Sequence, residues 1–244
     1  MRVGIYVDGF NLYYGGKSIM GGSSRPGWKW LDLRKLSERL IAEGSTWSGA
    51  SVSRVVYCTA RIHAEPGSMA HRDQDLYIKA LRAYASVDVC EMGSYVSRLA
   101  SAPLARRSPN GKPELVTSTD LLSFRDAADA ELATAKCMVR IARREEKGSD
   151  VNVATHLLVD MYEGRIDAAV VVSNDSDLAF PVRHARERIP VGVVNPQRNP
   201  YAGALRGDRG DGVGGHWWYK LAAGDLTSSQ LPAAIGRIRR PVDW

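Results

Sequence analysis

Residues 168 to 173 read AAVVVS, a run of small and β-branched apolar residues with no polar residue at alternate positions. A strand with one wet face would alternate, so this one needs cover on both faces, as a central strand of a parallel sheet does. Its neighbours in sequence have the matching character. RVGIYVD at 2 to 8 is a short apolar strand ending in an acid, and LDLRKLSERLIA at 31 to 42 carries apolar residues at helical spacing through Leu33, Leu36, Leu40 and Ile41. The alternation continues with a strand at 52 to 60, a helix over 69 to 85, a strand near 87 to 92, a helix from 150 that ends at Gly164, a helix over 178 to 188 and a strand at 191 to 194. This order predicts an α/β fold: a central mainly parallel sheet with helices on both faces.

The pattern breaks at 97 to 119, which is rich in Ser, Pro and Arg, and again after 196, where Gly, Asn, Arg and aromatics dominate. The simplest partition is one domain over 1–196 with a basic insertion near 97–119, followed by an irregular C-terminal segment, 197–244, packed on that domain. Within the tail, GDRGDGVGG at 207 to 215 predicts a mobile loop, and Trp217, Trp218 and Tyr219 predict an apolar anchor. No apolar run approaches the roughly 20 residues that span a bilayer. The N-terminus carries an acid, Asp8, where a signal peptide needs uninterrupted apolar residues. Cys58, Cys90 and Cys137 form no C-x-x-C pair, so a soluble cytoplasmic protein without a membrane partner is expected. The 33 Lys+Arg exceed the 27 Asp+Glu to give +6, and 25 of the 33 are Arg. Arg grips phosphate bidentately, so the skew suits a nucleic-acid partner, and it equally suits plain genome composition.

Four acids hold suggestive places. Asp8 ends the first strand, Asp150 opens a helix, and Asp175 and Asp177 follow the central strand. The carboxyl ends of parallel strands share one edge, where ligands bind. Singly, Asp8 reads as a turn residue, and Asp150 and Asp177 as helix caps. Jointly at one edge, carboxylates repel unless cations neutralise them, and hard Mg²⁺ or Mn²⁺ suits such oxygens. Asp160 lies too far along the helix from Asp150 to share an ion and takes a surface or structural role. The five histidines are scattered, and no P-loop is present.

VDGFNLYY (Val7 to Tyr14), KGSDVNVATHLLVDM (Lys147 to Met161) and VVVSNDSDLAFPV (Val170 to Val182) together resemble the NYN domain, the LabA-like branch of the PIN-type nucleases. Residues 15 to 146 match it mainly by element pattern. The resemblance implies a three-layer PIN-like (Rossmann-like) fold and a metal-dependent ribonuclease. Asp8, Asp150, Asp175 and Asp177 would be its catalytic and metal-binding acids, with Asn11 and Ser173 in support. One or two Mg²⁺ or Mn²⁺ ions would then orient and deprotonate a water that attacks phosphorus. Asn174 stands where the family commonly has Gly, and Leu178 where it often has an aromatic. The alternative is a catalytically inactive RNA-binding or regulatory adaptor with the same fold. The expected partner is RNA, single-stranded or with unpaired regions, its backbone held by Arg106, Arg107, Arg143, Arg144 and Lys147. A homo-oligomer is compatible with the sequence.

Overall fold

A computed structural model describes residues 1–62, 68–117, 128 and 137–244, apart from the side chain of Arg144. Seven strands form one sheet in the order β6-β3-β2-β1-β7-β8-β9. They are β1 (Arg2–Asp8), β2 (Ser51–Ala60), β3 (Val89–Pro103), β6 (Met138–Lys147), β7 (Ala168–Val172), β8 (Val191–Asn195) and β9 (Trp217–Lys220). The pairings β3–β2, β2–β1, β1–β7, β7–β8 and β8–β9 are all parallel. The chain is therefore mixed α/β with a central, mostly parallel sheet.

The lack of alternation in β7 has the cause expected of it. Ala168, Val170 and Val172 enter one apolar cluster with Val3, Ile5 and Val7 of β1, while Ala169 and Val171 enter another with Tyr6. Helix α2 (Leu33–Gly44) supplies Leu36 and Leu40 to the first cluster, and α3 (Met69–Ala83) supplies Ala80 and Leu81. Helices α4 (Ser149–Tyr162) and α5 (Ala179–Arg186) supply Val153, Leu157 and Val182 to the second. Burial of such side chains contributes roughly 1.5–3 kcal/mol each before entropy is counted.

Three differences from the sequence reading have physical reasons. Residues Gly9–Met20 form a helix, α1, that the sequence pattern hides behind three glycines. Those glycines lower its propensity but let it lie close to its neighbours: a Cβ on Gly16 would meet the Trp28 ring, and one on Gly15 the Pro196 carbonyl. The C-terminal segment is regular rather than irregular. It adds β9 to the sheet edge, then the short α6 (Gly203–Arg206), α7 (Ala223–Ser228) and a hairpin of β10 (Ala234–Ile235) and β11 (Ile238–Arg239). Trp217 is buried and sets its ring 5.5 Å from Trp47, the anchoring role expected. Residues 207–215 are tied down rather than loose, because the Val213 N–H donates to the Arg186 carbonyl at 3.0 Å and the Asp208 N–H to Asp211 Oδ2 at 2.7 Å.

The chain divides into two units, Met1–Tyr95 with Glu146–Trp244, and Val96–Glu145. In the second, β4 (Ala105–Arg107) and β5 (Pro113–Leu115) make an antiparallel hairpin closed by a Ser108–Lys112 turn. Among the described residues, no helix is long and apolar enough to cross a membrane.

Candidate functional site

Because β1 and β7 are parallel neighbours with Val7 opposite Val172, Asp8 and Ser173 emerge side by side at their carboxyl ends. Asp8 is buried and caps α1, its Oδ1 accepting the Asn11 N–H at 3.0 Å. Its Oδ2 accepts from Asn11 Nδ2 at 3.0 Å and from Ser173 Oγ at 3.1 Å. The Asp175 N–H in turn donates to Ser173 Oγ, and Asp175 Oδ1 accepts the Asp177 N–H, each at 3.1 Å. Burial pushes the Asp8 carboxyl up from its ordinary range; the bonds from Asn11 and Ser173 oppose this, and the Asp175 charge adds to it. Two carboxyls are thus coupled electrostatically, one buried and one half-buried.

Asn11 is the hub of the network. Its Oδ1 accepts from the Asn174 N–H at 3.1 Å and from Gln197 Nε2 at 2.7 Å. Asn174 reaches the loop after β8, its Oδ1 accepting the Ala202 N–H at 2.9 Å. Gln197 escaped the sequence reading, although its place just after β8 marked it by the same sheet-edge rule that picked out Asp8.

Asp150 and Asp177 meet a groove of their own. They line a shallow groove of about 220 Å³ between the first turns of α4 and the residues leading into α5, with Val151, Thr155 and Pro181 as walls. Gly148 rather than Ser149 or Asp150 caps α4, and Ser149 instead donates its hydroxyl to Glu146 Oε1 at 2.7 Å. An aromatic group follows Asp8 along α1. Phe10 stacks with Tyr14 at 6.3 Å and meets Tyr95 edge-on at 5.9 Å. Tyr14 stays exposed.

The basic residues divide differently. Arg106 pairs with Glu114 at 3.2 Å and Arg143 with Glu145 at 2.5 Å, both within the second unit, and Arg107 is exposed on β4. Lys147 is exposed at the end of β6, and the side chain of Arg144 lies outside the described residues. Asp160 is structural: fully buried, it takes Arg54 at 2.8 Å, Arg165 at 2.9 Å and the Tyr6 hydroxyl at 3.1 Å.

No family model matches the chain. Its whole length aligns with 75% of 6-hydroxy-3-succinoylpyridine 3-monooxygenase HspA of Pseudomonas putida, at 28% identity over 267 positions. A solved structure of a protein of unknown function from Vibrio parahaemolyticus superimposes on 92% of this chain and 94% of its own, at 12% identity and a TM-score of 0.46.

The monooxygenase relative overturns the expectation of a metal-dependent ribonuclease, and with it that of an Mg²⁺ or Mn²⁺ cofactor and of a catalytically inactive RNA-binding or regulatory adaptor. The relative that aligns with the whole of this chain is a monooxygenase. Among the described residues, no three His, Cys, Asp or Glu side chains are grouped to hold a metal ion. The physical reason is visible at Asp8, whose oxygens are already engaged by three protein donors.

Proposed function

We propose that this chain is an oxidoreductase of the monooxygenase type, acting on a small hydroxylated nitrogen heterocycle. The observation that carries the reading is the 28% identity with HspA, over the whole of this chain and 75% of HspA. In such a reaction a ring C–H, dioxygen, two electrons and two protons become a C–OH and water, so the chain works with a two-electron reductant. Oxygen insertion of this kind needs a redox group or metal to pass electrons to dioxygen. The β1–α1 turn suits neither: the described residues group no metal ligands, and Asp8 already caps the α1 N-terminus with a carboxyl that repels a pyrophosphate.

In this reading the residues at the sheet edge prepare the ring. Asp175 takes the proton of a ring hydroxyl, which makes the ring electron-rich toward oxygen attack. Asp8 positions: through Ser173 and Asn11 it fixes the turn that presents Asp175. The exposed Tyr14, stacked on Phe10, offers a flat wall. We also read the chain as sharing ancestry and a three-layer PIN-like arrangement with NYN domains. The three sequence motifs support this, as do helices contributing to an apolar cluster on either side of β7.

The test incubates purified protein with hydroxypyridines, isotopically labelled dioxygen and reduced nicotinamide or flavin nucleotide. Incorporation of one labelled oxygen into the ring, lost in Asp175→Asn, is expected. Absence of label from every hydroxypyridine tried would overturn the proposal.

A further inference from the structure

A second cleft, of about 600 Å³, opens where α6, the glycine-rich loop and β9 meet, lined by Gly203, Arg206, Gly207, Asp208, Arg209 and Trp218. Its volume falls in the range of small-molecule sites, and it is broadly open to solvent. No residue assigned to the oxygenation lines it. The Arg206 and Arg209 side chains form no hydrogen bond or ion pair with the described residues; Arg209 only lies over the Trp218 ring, 5.9 Å from its centroid.

The cleft is braced from behind. The Trp218 indole N–H donates to the Arg206 carbonyl at 2.5 Å, and buried Arg186 donates to the Leu205 carbonyl at 2.9 Å. The Arg186 carbonyl receives the Val213 N–H, which closes the loop. Gly207 sits at φ +54, where a Cβ would run into the Arg186 guanidinium. Two exposed arginines therefore stand three residues apart on a braced backbone turn, beside an indole and one carboxylate. A site of this make-up has three complements. The guanidinia match phosphate oxygens bidentately, the Asp208 carboxylate accepts from hydroxyl groups, and the indole meets a flat ring.

We infer that this cleft is a nucleotide-binding site, with phosphate on Arg206 and Arg209, ribose hydroxyls on Asp208 and the base against Trp218. None of its lining residues is one assigned to the oxygenation, and the inference does not depend on the oxygenase reading.

Titration calorimetry of the whole protein with ADP, inorganic phosphate and adenosine tests it, without dioxygen or oxidisable substrate, so its outcome is separate from that of the hydroxylation assay. ADP is expected to bind more tightly than phosphate or adenosine. Arg206→Gln and Arg209→Gln should each weaken ADP about tenfold and flatten its salt dependence. Asp208→Asn should weaken ADP while leaving phosphate unchanged. All three substitutions are at exposed positions, and circular dichroism checks that the variants fold. ADP heat absent at roughly millimolar ligand, ADP no tighter than phosphate, or ADP binding indifferent to both arginine substitutions would each overturn the inference.

Discussion

His216 engages both ring nitrogens with backbone: Nδ1 accepts the Val191 N–H at 3.0 Å, and Nε2 faces the Asp211 carbonyl at 2.6 Å. Only the neutral ring, with its proton on Nε2, satisfies both. Burial is the main cause holding its pKa below the ordinary value of about 6.5. The unfolded chain therefore takes up this proton before the folded one. The stabilisation is complete above about pH 6.5 and is lost as pH falls from there through the lower folded value. Thermal melts from pH 8 to pH 5 should show the Tm falling in that window, with a shallower fall in His216→Gln; equal slopes would refute the assignment. Asp8 has the opposite sign, since its raised folded pKa withdraws stability as pH rises through it. Removing the neighbouring charge relieves part of that cost, and Asn caps as well as Asp. Asp175→Asn should thus abolish hydroxylation while leaving Tm at pH 7 unchanged or higher, whereas a lower Tm would make Asp175 a structural residue.

At the scale of elements, what could be read in advance followed burial. β7 announced itself because cover on both faces removes polar residues from every position, and α2 because one-sided cover leaves a 3.6-residue period. Helix α1 did not, since close approach to Pro196 and Trp28 selects glycine where a helix pattern would show alanine or leucine. The same separation applies to the site. Asp8, Ser173 and Asp175 were legible from their places at strand ends; Gln197 holds the same kind of place after β8 and was passed over because an amide there carries no charge to draw attention. Helix α1 gives a prediction with a reversed sign. In an open helix Gly→Ala gains about 1 kcal/mol, but at Gly15 the new methyl would strike the Pro196 backbone, and overpacking costs about 1–3 kcal/mol. A lower urea midpoint is expected for Gly15→Ala, and a higher one would show that the contact yields.

For the whole molecule, the C-terminal residues close the first apolar cluster. The Leu231 N–H donates to the Trp30 carbonyl at 2.8 Å, and the Trp30 indole to the Pro232 carbonyl at 2.9 Å. Trp244 packs 5.9 Å from Trp30 and 5.6 Å from Tyr77. Removing residues 231–244 should cost about 3 kcal/mol or more, read as a lower urea midpoint, because buried Leu231 and the Trp244 packing go together. A truncated chain as stable as the parent would mean that the cluster is complete without its tail. The strand order also has a consequence during synthesis. β1 lies between β2 and β7, so one of its edges has its partner by Ala60, while the other waits until Ala168–Val172 has left the ribosome. At ordinary translation rates that interval is on the order of ten seconds. For that time an apolar strand stands with one row of backbone donors and acceptors unmatched, which makes the half-made chain a natural client for a chaperone.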